Sequence, residues 1–104
     1  MKQAEYKIEA DTLKIKLPEE LDHNNSLDIR KKADAAIYTG KAKNVEFDFS
    51  DTSFMDSSGI GLVMGRYRNL IKSGAELHIT GASPQINKIL KLAGIEKLAK
   101  LEGR

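Results

Sequence analysis

Apolar residues recur at every second position in four separate stretches, and this alternation limits the architecture more than any other property of the chain. Tyr6 and Ile8 stand opposite Glu5, Lys7 and Glu9. Leu13, Ile15 and Leu17 stand opposite Thr12, Lys14 and Lys16. Val45, Phe47 and Phe49 alternate with Glu46 and Asp48, and Leu77 and Ile79 with Glu76, His78 and Thr80. A period of two marks strands with one buried and one wet face. Strands of a parallel sheet held between two helix layers are apolar throughout. The four stretches therefore predict two layers, with helices over one sheet face and water on much of the other.

The helices are legible from a different period. From Gly59 onward, Ile60, Val63, Met64, Tyr67, Leu70 and Ile71 recur at three- and four-residue steps, which places them on one side of a helix that Gly74 closes. Leu21-Asp22-His23-Asn24-Asn25-Ser26 offers several N-caps ahead of a helix from about Leu27 to Tyr38, with Ala33, Ala36 and Ile37 inward and Gly40 as its stop. Ser83-Pro84 pairs a cap with the proline favoured at a first helical position, opening a third helix that buries Ile86, Ile89, Leu90 and Ala93 and ends at Gly94. A turn at Asp11-Thr12 folds the first two strands into an antiparallel hairpin, which Pro18 ends. The later strand–helix alternation implies right-handed parallel crossovers. The expected class is α/β, a mixed sheet of four to five strands with helices on one face. Residues 95–101, with Ile95, Leu98 and Leu101, fit either a last short strand or a helical turn.

At 104 residues the chain is read as one domain over 1–104 with a single modest core. The absence of cysteine excludes disulfides, zinc–thiolate sites and thiol catalysis. No stretch approaches the roughly 20 apolar residues of a membrane span, and the N-terminus lacks the layout of a secretion signal, so a cytoplasmic protein is expected. Lys and Arg number 17 against 15 Asp and Glu, scattered rather than striped, which argues against nucleic-acid binding. The locally basic end, Lys91, Lys97, Lys100 and Arg104, reads as a solvated face.

The third strand meets the second helix at Asp56-Ser57-Ser58-Gly59, small hydroxyl and carboxylate side chains where a helix has unpaired N–H groups and a partial positive charge. Phe54-Met55-Asp56-Ser57-Ser58-Gly59-Ile60-Gly61, followed by Leu62 to Tyr67, resembles the phosphorylation segment of the STAS domain, and within it the bacterial anti-sigma factor antagonists. Leu21-Asp22-His23 and Ser83-Pro84 resemble two further segments of that family, in the same order over nearly the whole chain. Pro18-Glu19 departs from it, standing where many members carry a glycine.

The resemblance implies a small switch protein. Unmodified, it would bind an anti-sigma factor that is commonly also an ATP-dependent serine kinase, freeing a sigma factor. Phosphorylated, it would let go until a protein phosphatase resets it. The family's acceptor falls on Ser58. Asp56 and Ser57 match the motif beside it, Asp22 matches the loop placed near the acceptor, and Asn24, Gly59, Ile60 and Gly61 complete the expected partner-binding set. No cofactor, metal, nucleic acid or membrane is implied. An alternative within the fold is a binding subunit of a transporter or stress-signalling complex in which the serine stays unmodified.

Each residue also has a structural reading. A serine or aspartate ahead of a helix is commonly a cap, so Asp56 and Asp22 are cap candidates as well as site candidates. Gly61 and Gly65, four apart, are expected to allow close packing on a neighbour. Gly59 and Gly61 would also let a partner approach the backbone. Arg66, Arg68 and Lys72 are expected in solvent, and Met64 and Tyr67 in the core. An acyl-transfer enzyme is disfavoured: the Gly-x-Ser-x-Gly elbow lacks its leading glycine, His78 points outward, and no group is evident to orient His23. A phospho-aspartate receiver built on Asp51 or Asp56 lacks the acidic pair and lysine it would need.

Overall fold

In the computed structural model, which describes residues 3–97 and 100–103, the alternating stretches form β1 (Glu5–Glu9), β2 (Thr12–Lys16), β4 (Asn44–Asp48) and β6 (Leu77–Ala82). With β7 (Lys100–Gly103) they make one five-stranded sheet in the order β1-β2-β4-β6-β7. β1 is antiparallel to β2 and all other neighbours are parallel. Register carries the alternation across the sheet. Leu13, Val45 and Leu77 form one apolar row, and Ile15, Phe47 and Ile79 the next. These six residues are buried, whereas Lys14, Glu46 and His78, aligned on the other face, are half-exposed. The expected two layers are present, because the apolar face alone is covered.

Helices α1 (His23–Tyr38), α2 (Ser57–Ile71) and α3 (Pro84–Leu92) supply that cover. Ile29 and Ala33 of α1, Leu62, Val63 and Leu70 of α2, and Ile86 and Leu90 of α3 join the strand residues in one core cluster. Met64 and Tyr67 pack against it half-buried. α3 opens on Ser83, whose hydroxyl accepts the Ile86 N–H at 3.2 Å, with Pro84 at its first position as expected.

Several expectations are corrected. α1 begins at His23 rather than Leu27, because Asp22 and Asn25 form a reciprocal capping box that starts the helix a full turn earlier. The hairpin loop is Ala10-Asp11, with Ala10 at φ 52°, rather than Asp11-Thr12. Ile8 lies on the edge strand beyond the reach of the helices and is exposed, and Ile71, in the last turn of α2, is exposed too, with Leu62 taking the expected inward role. A Cβ added at Gly61 or Gly65 would meet nothing, so neither glycine serves helix packing. Residues 95–101 divide between a 3₁₀ turn (Ile95–Lys97) and β7, which extends the sheet in parallel to β6; Leu98 lies outside the described residues.

One element has no counterpart in the sequence reading. β3 (Glu20–Leu21) and β5 (Phe54–Met55) form a two-stranded parallel sheet apart from the main one. Two residues with no alternation carry no period to read. Its register, Leu21 beside Met55, sets the next residues, Asp22 and Asp56, at neighbouring helix starts.

Candidate functional site

The small sheet delivers two helix N-termini to one corner. The Asp56 N–H donates to the Leu21 carbonyl at 3.2 Å, and each strand is followed by one capping residue, Asp22 or Asp56, before its helix begins. Asp22 caps α1 by accepting the Asn25 N–H at 3.0 Å, while the Asn25 side chain accepts the Asp22 N–H at 2.9 Å. Asp56 caps α2 by accepting the Ser58 N–H at 2.8 Å. From this shared start the helices run side by side in the same direction. His23 meets Ser58, and Asp34 meets Asn69, at the same spacing of 35 residues. Parallel helices bring their positive dipole ends together, and the two capping carboxylates partly offset that repulsion.

Ser58 occupies the second position of α2 and is half-exposed. Its Oγ has one polar neighbour among the described residues, Nδ1 of His23 at 3.4 Å, a long contact. Beside it, a groove of about 230 Å³ between the helices is lined by His23, Ser26, Leu27, Arg30, Ser58 and Gly61. Leu27 and, on β5, Phe54 are exposed apolar side chains close to this corner. A fitted partner would remove both from water.

The other expected site residues separate into outward and inward sets. Asn24 and Ser57 are exposed in the first turns of α1 and α2, and Gly61 is exposed in the groove lining. Ile60 is half-buried against the core. Gly59 corrects the reading that it admits a partner: it is buried, and a Cβ there would strike Met55 and come within 2.9 Å of a Leu21 methyl. Its missing side chain is required by the packing of the small sheet against α2.

Further along the same seam lies a residue whose placement the sequence hid. Arg66, expected in solvent, is 5% exposed. Its Nε lies 2.8 Å from Oδ1 of Asp34, in a contact too bent for a hydrogen bond, and Nε and Nη1 have no acceptor among the described residues. Asn69 donates to the same Asp34 oxygen at 3.1 Å. Burial pulls the Arg66 pKa below the ordinary guanidinium value; Asp34 opposes that shift and the charge of Arg30 adds to it. The available signal was its position: Arg66 falls three and four residues from the apolar Val63 and Leu70.

The corner sets a half-exposed hydroxyl beside an open groove. The Ser58–His23 pair has the makings of a nucleophile and base, but among the described residues no group besides Ser58 is hydrogen-bonded to the imidazole. His78 instead bonds Glu76 at 3.1 Å on the wet sheet face. Among the described residues no cluster of three metal-binding side chains occurs, and no helix is long and apolar enough to cross a membrane.

The family model of the STAS domain matches residues 3–103. The chain belongs to the STAS domain family. Among STAS relatives, the anti-sigma F factor antagonist of Lysinibacillus sphaericus is 36% identical over 88 residues, 85% of this chain and 75% of that protein. The structure of the anti-sigma factor antagonist SpoIIAA in its unphosphorylated form superposes with a TM-score of 0.82 at 31% identity, over 94% of this chain and 86% of that one. The phosphorylated form of the Bacillus cell fate determinant SpoIIAA gives a TM-score of 0.80 at 32% identity, over 94% and 89%. The mixed sheet with one covered face is thus the STAS architecture.

Proposed function

We propose that this protein is an anti-sigma factor antagonist whose grip on its partner is switched by phosphorylation of Ser58. Unmodified, it binds an anti-sigma factor that is also a serine kinase, and a sigma factor is released. The kinase transfers the γ-phosphoryl group of ATP to Ser58 Oγ: the Oγ–P bond forms, the bond to ADP breaks and the hydroxyl proton is released. Binding then ceases until a protein phosphatase hydrolyses the ester. The setting is the cytoplasm, where the cycle needs neither metal nor cofactor from this chain.

The observation that carries this reading is the position of Ser58, half-exposed at the mouth of α2 on a backbone anchored by the Asp56 cap. A kinase can reach it there without unfolding the domain. The relatives' names and the existence of SpoIIAA in both phosphorylation states support the same reading. Phosphate adds about −1.5 to −2 charges and three acceptor oxygens. A helix N-terminus tolerates that charge, so the fold persists. An interface built on Leu27, Phe54, Asn24 and Gly61 does not tolerate it. A tenfold loss of affinity needs only about 1.4 kcal/mol, less than the several kcal/mol that like charges across an interface can cost.

Incubation with the cognate anti-sigma kinase and ATP should add one phosphate, and Ser58→Ala should accept none. Label retained by that variant would remove the assignment. Ser58→Asp should weaken binding of the anti-sigma factor at least tenfold by calorimetry with its melting temperature nearly unchanged, and undiminished binding would count against the switch.

A further inference from the structure

The mouth of the α1–α2 groove gathers positive charge that the described residues of the unmodified protein answer only in part, through the two capping carboxylates. Two helix N-termini converge there. Arg30 lies exposed at the groove without an ion pair among the described residues, and its charge acts unfavourably on the buried Arg66. His23 faces Ser58 Oγ across 3.4 Å. Ser26 is the sharpest sign: it is 6% exposed, lines the groove, and its Oγ has no hydrogen-bond partner among the described residues. Buried hydroxyls are rarely left so. The carboxylates at this corner, Asp22 and Asp56, are both engaged as caps, accepting backbone N–H groups. What the groove lacks is an anion that can accept several hydrogen bonds.

We infer that the groove is a receptor for the phosphate of phosphorylated Ser58 itself, with Arg30 and His23 as counter-charges and the Ser26 hydroxyl as a further donor. The inference rests on Ser58 being the acceptor and adds how the modified side chain acts. The ester oxygen is Ser58 Oγ, which already lines the groove, so the group need not cross solvent to reach these donors. Three phosphate oxygens match a guanidinium, an imidazolium and a hydroxyl. Once seated, the phosphate closes the hollow beside Leu27 and cancels the charge of Arg30, so the partner loses both a cavity and a cation. The switch then works by filling the docking surface from within, in addition to repelling across it.

The test installs phosphoserine at position 58 during translation, without any kinase, and follows the second ionisation of the phosphate by phosphorus NMR. The charged groups facing it are His23, Arg30 and Asp22 from α1 and Asp56 from the start of α2. Seated as proposed, the phosphate should hold its last proton about tenfold less tightly than a free phosphoserine, whose ordinary pKa is about 6. Arg30→Gln should recover about half of that shift on the logarithmic scale, His23→Gln a similar share and Ser26→Ala less, while Arg30→Lys should retain most of it. Arg30 and His23 are exposed, so their variants should fold, which circular dichroism checks. Identical titrations of wild type, Arg30→Gln and His23→Gln would overturn the receptor. Because no kinase takes part, that result would leave the phosphorylation assignment standing, whereas label retained in Ser58→Ala removes the assignment itself.

Discussion

The seam between α1 and α2 has a closed middle and an open mouth, although the helices keep the same parallel alignment throughout. In the middle, the cation of Arg66 is buried against Asp34, and Asn69 binds the same carboxylate oxygen. At the mouth, Arg30 is exposed and unpaired among the described residues, and Ser26 is buried without a partner. The difference lies in where an acid is available to meet the base. Asp34 is free to answer Arg66, whereas Asp22 and Asp56 are turned to their own helices' N–H groups. The charge in the middle is therefore answered within the fold, although Arg66 Nε and Nη1 have no hydrogen-bond acceptor among the described residues. On the function proposed above, the mouth would be completed by something added, a partner in one state and a phosphate in the other.

This contrast can be broken by substitution, beginning with the largest effect. Asp34→Ala strands the buried guanidinium and should destabilise the protein by about 2–4 kcal/mol in urea titration, at the lower end of such effects because Asp34 is partly exposed. Arg66→Met, which removes the buried charge and keeps the volume, should cost less than Asp34→Ala. Equal losses would mean that the pair itself, not the stranded charge, holds the seam. Gly59→Ala forces a methyl into Met55 and Leu21 and should cost about 1–3 kcal/mol. Wild-type stability in that variant would show that the small sheet yields freely.

The caps at the mouth come next. Asp22→Ala should cost about 1–2 kcal/mol and Asp56→Ala about 1 kcal/mol, since only Asp22 belongs to a reciprocal box. Thermal melts of the two variants should rank in that order, and the reverse order would contradict the box. The smallest effects belong to the open surface. Gly61→Ala, with space around the new methyl, should stabilise by about 0.5–1 kcal/mol while weakening partner binding, and Arg30→Gln should stay within about 0.5 kcal/mol of wild type. A large loss from either would show that the mouth is part of the folded scaffold after all.

Much of this was legible in the residues. One-sided strands predicted two layers, and Gly40, Gly74 and Gly94 marked helix ends where the backbone does take positive φ. The Asp-Ser-Ser-Gly joint was found because a change of hydrophobic period exposed a strand-to-helix corner, and its likeness to STAS sequences indicated a use. The failures have separate causes. The early start of α1 was missed because its first turn, His23-Asn24-Asn25-Ser26, carries no apolar residue, so the helix rests on a capping box rather than on a stripe. Arg66 was misplaced because charge outweighed its position on the inner face. Gly59, expected to admit a partner, has its space filled by Met55 and Leu21, since a glycine's demand for space looks the same in sequence whether chain or partner fills it.

Local periodicity and capping chemistry are properties of neighbouring residues, so the sequence by itself determined the element types, the covered sheet face and the serine at a helix start. What stands across from that serine was decided only in three dimensions. Leu21 and Met55 meet through two backbone pairings with no side-chain pattern, and that meeting aligns two helices at a spacing of 35 residues. From it follow the neighbouring caps, the His23–Ser58 contact, the Asp34–Arg66 pair and the groove with its unanswered charge. Contacts between residues so distant along the chain depend on how elements dock, and no window of sequence contains that information.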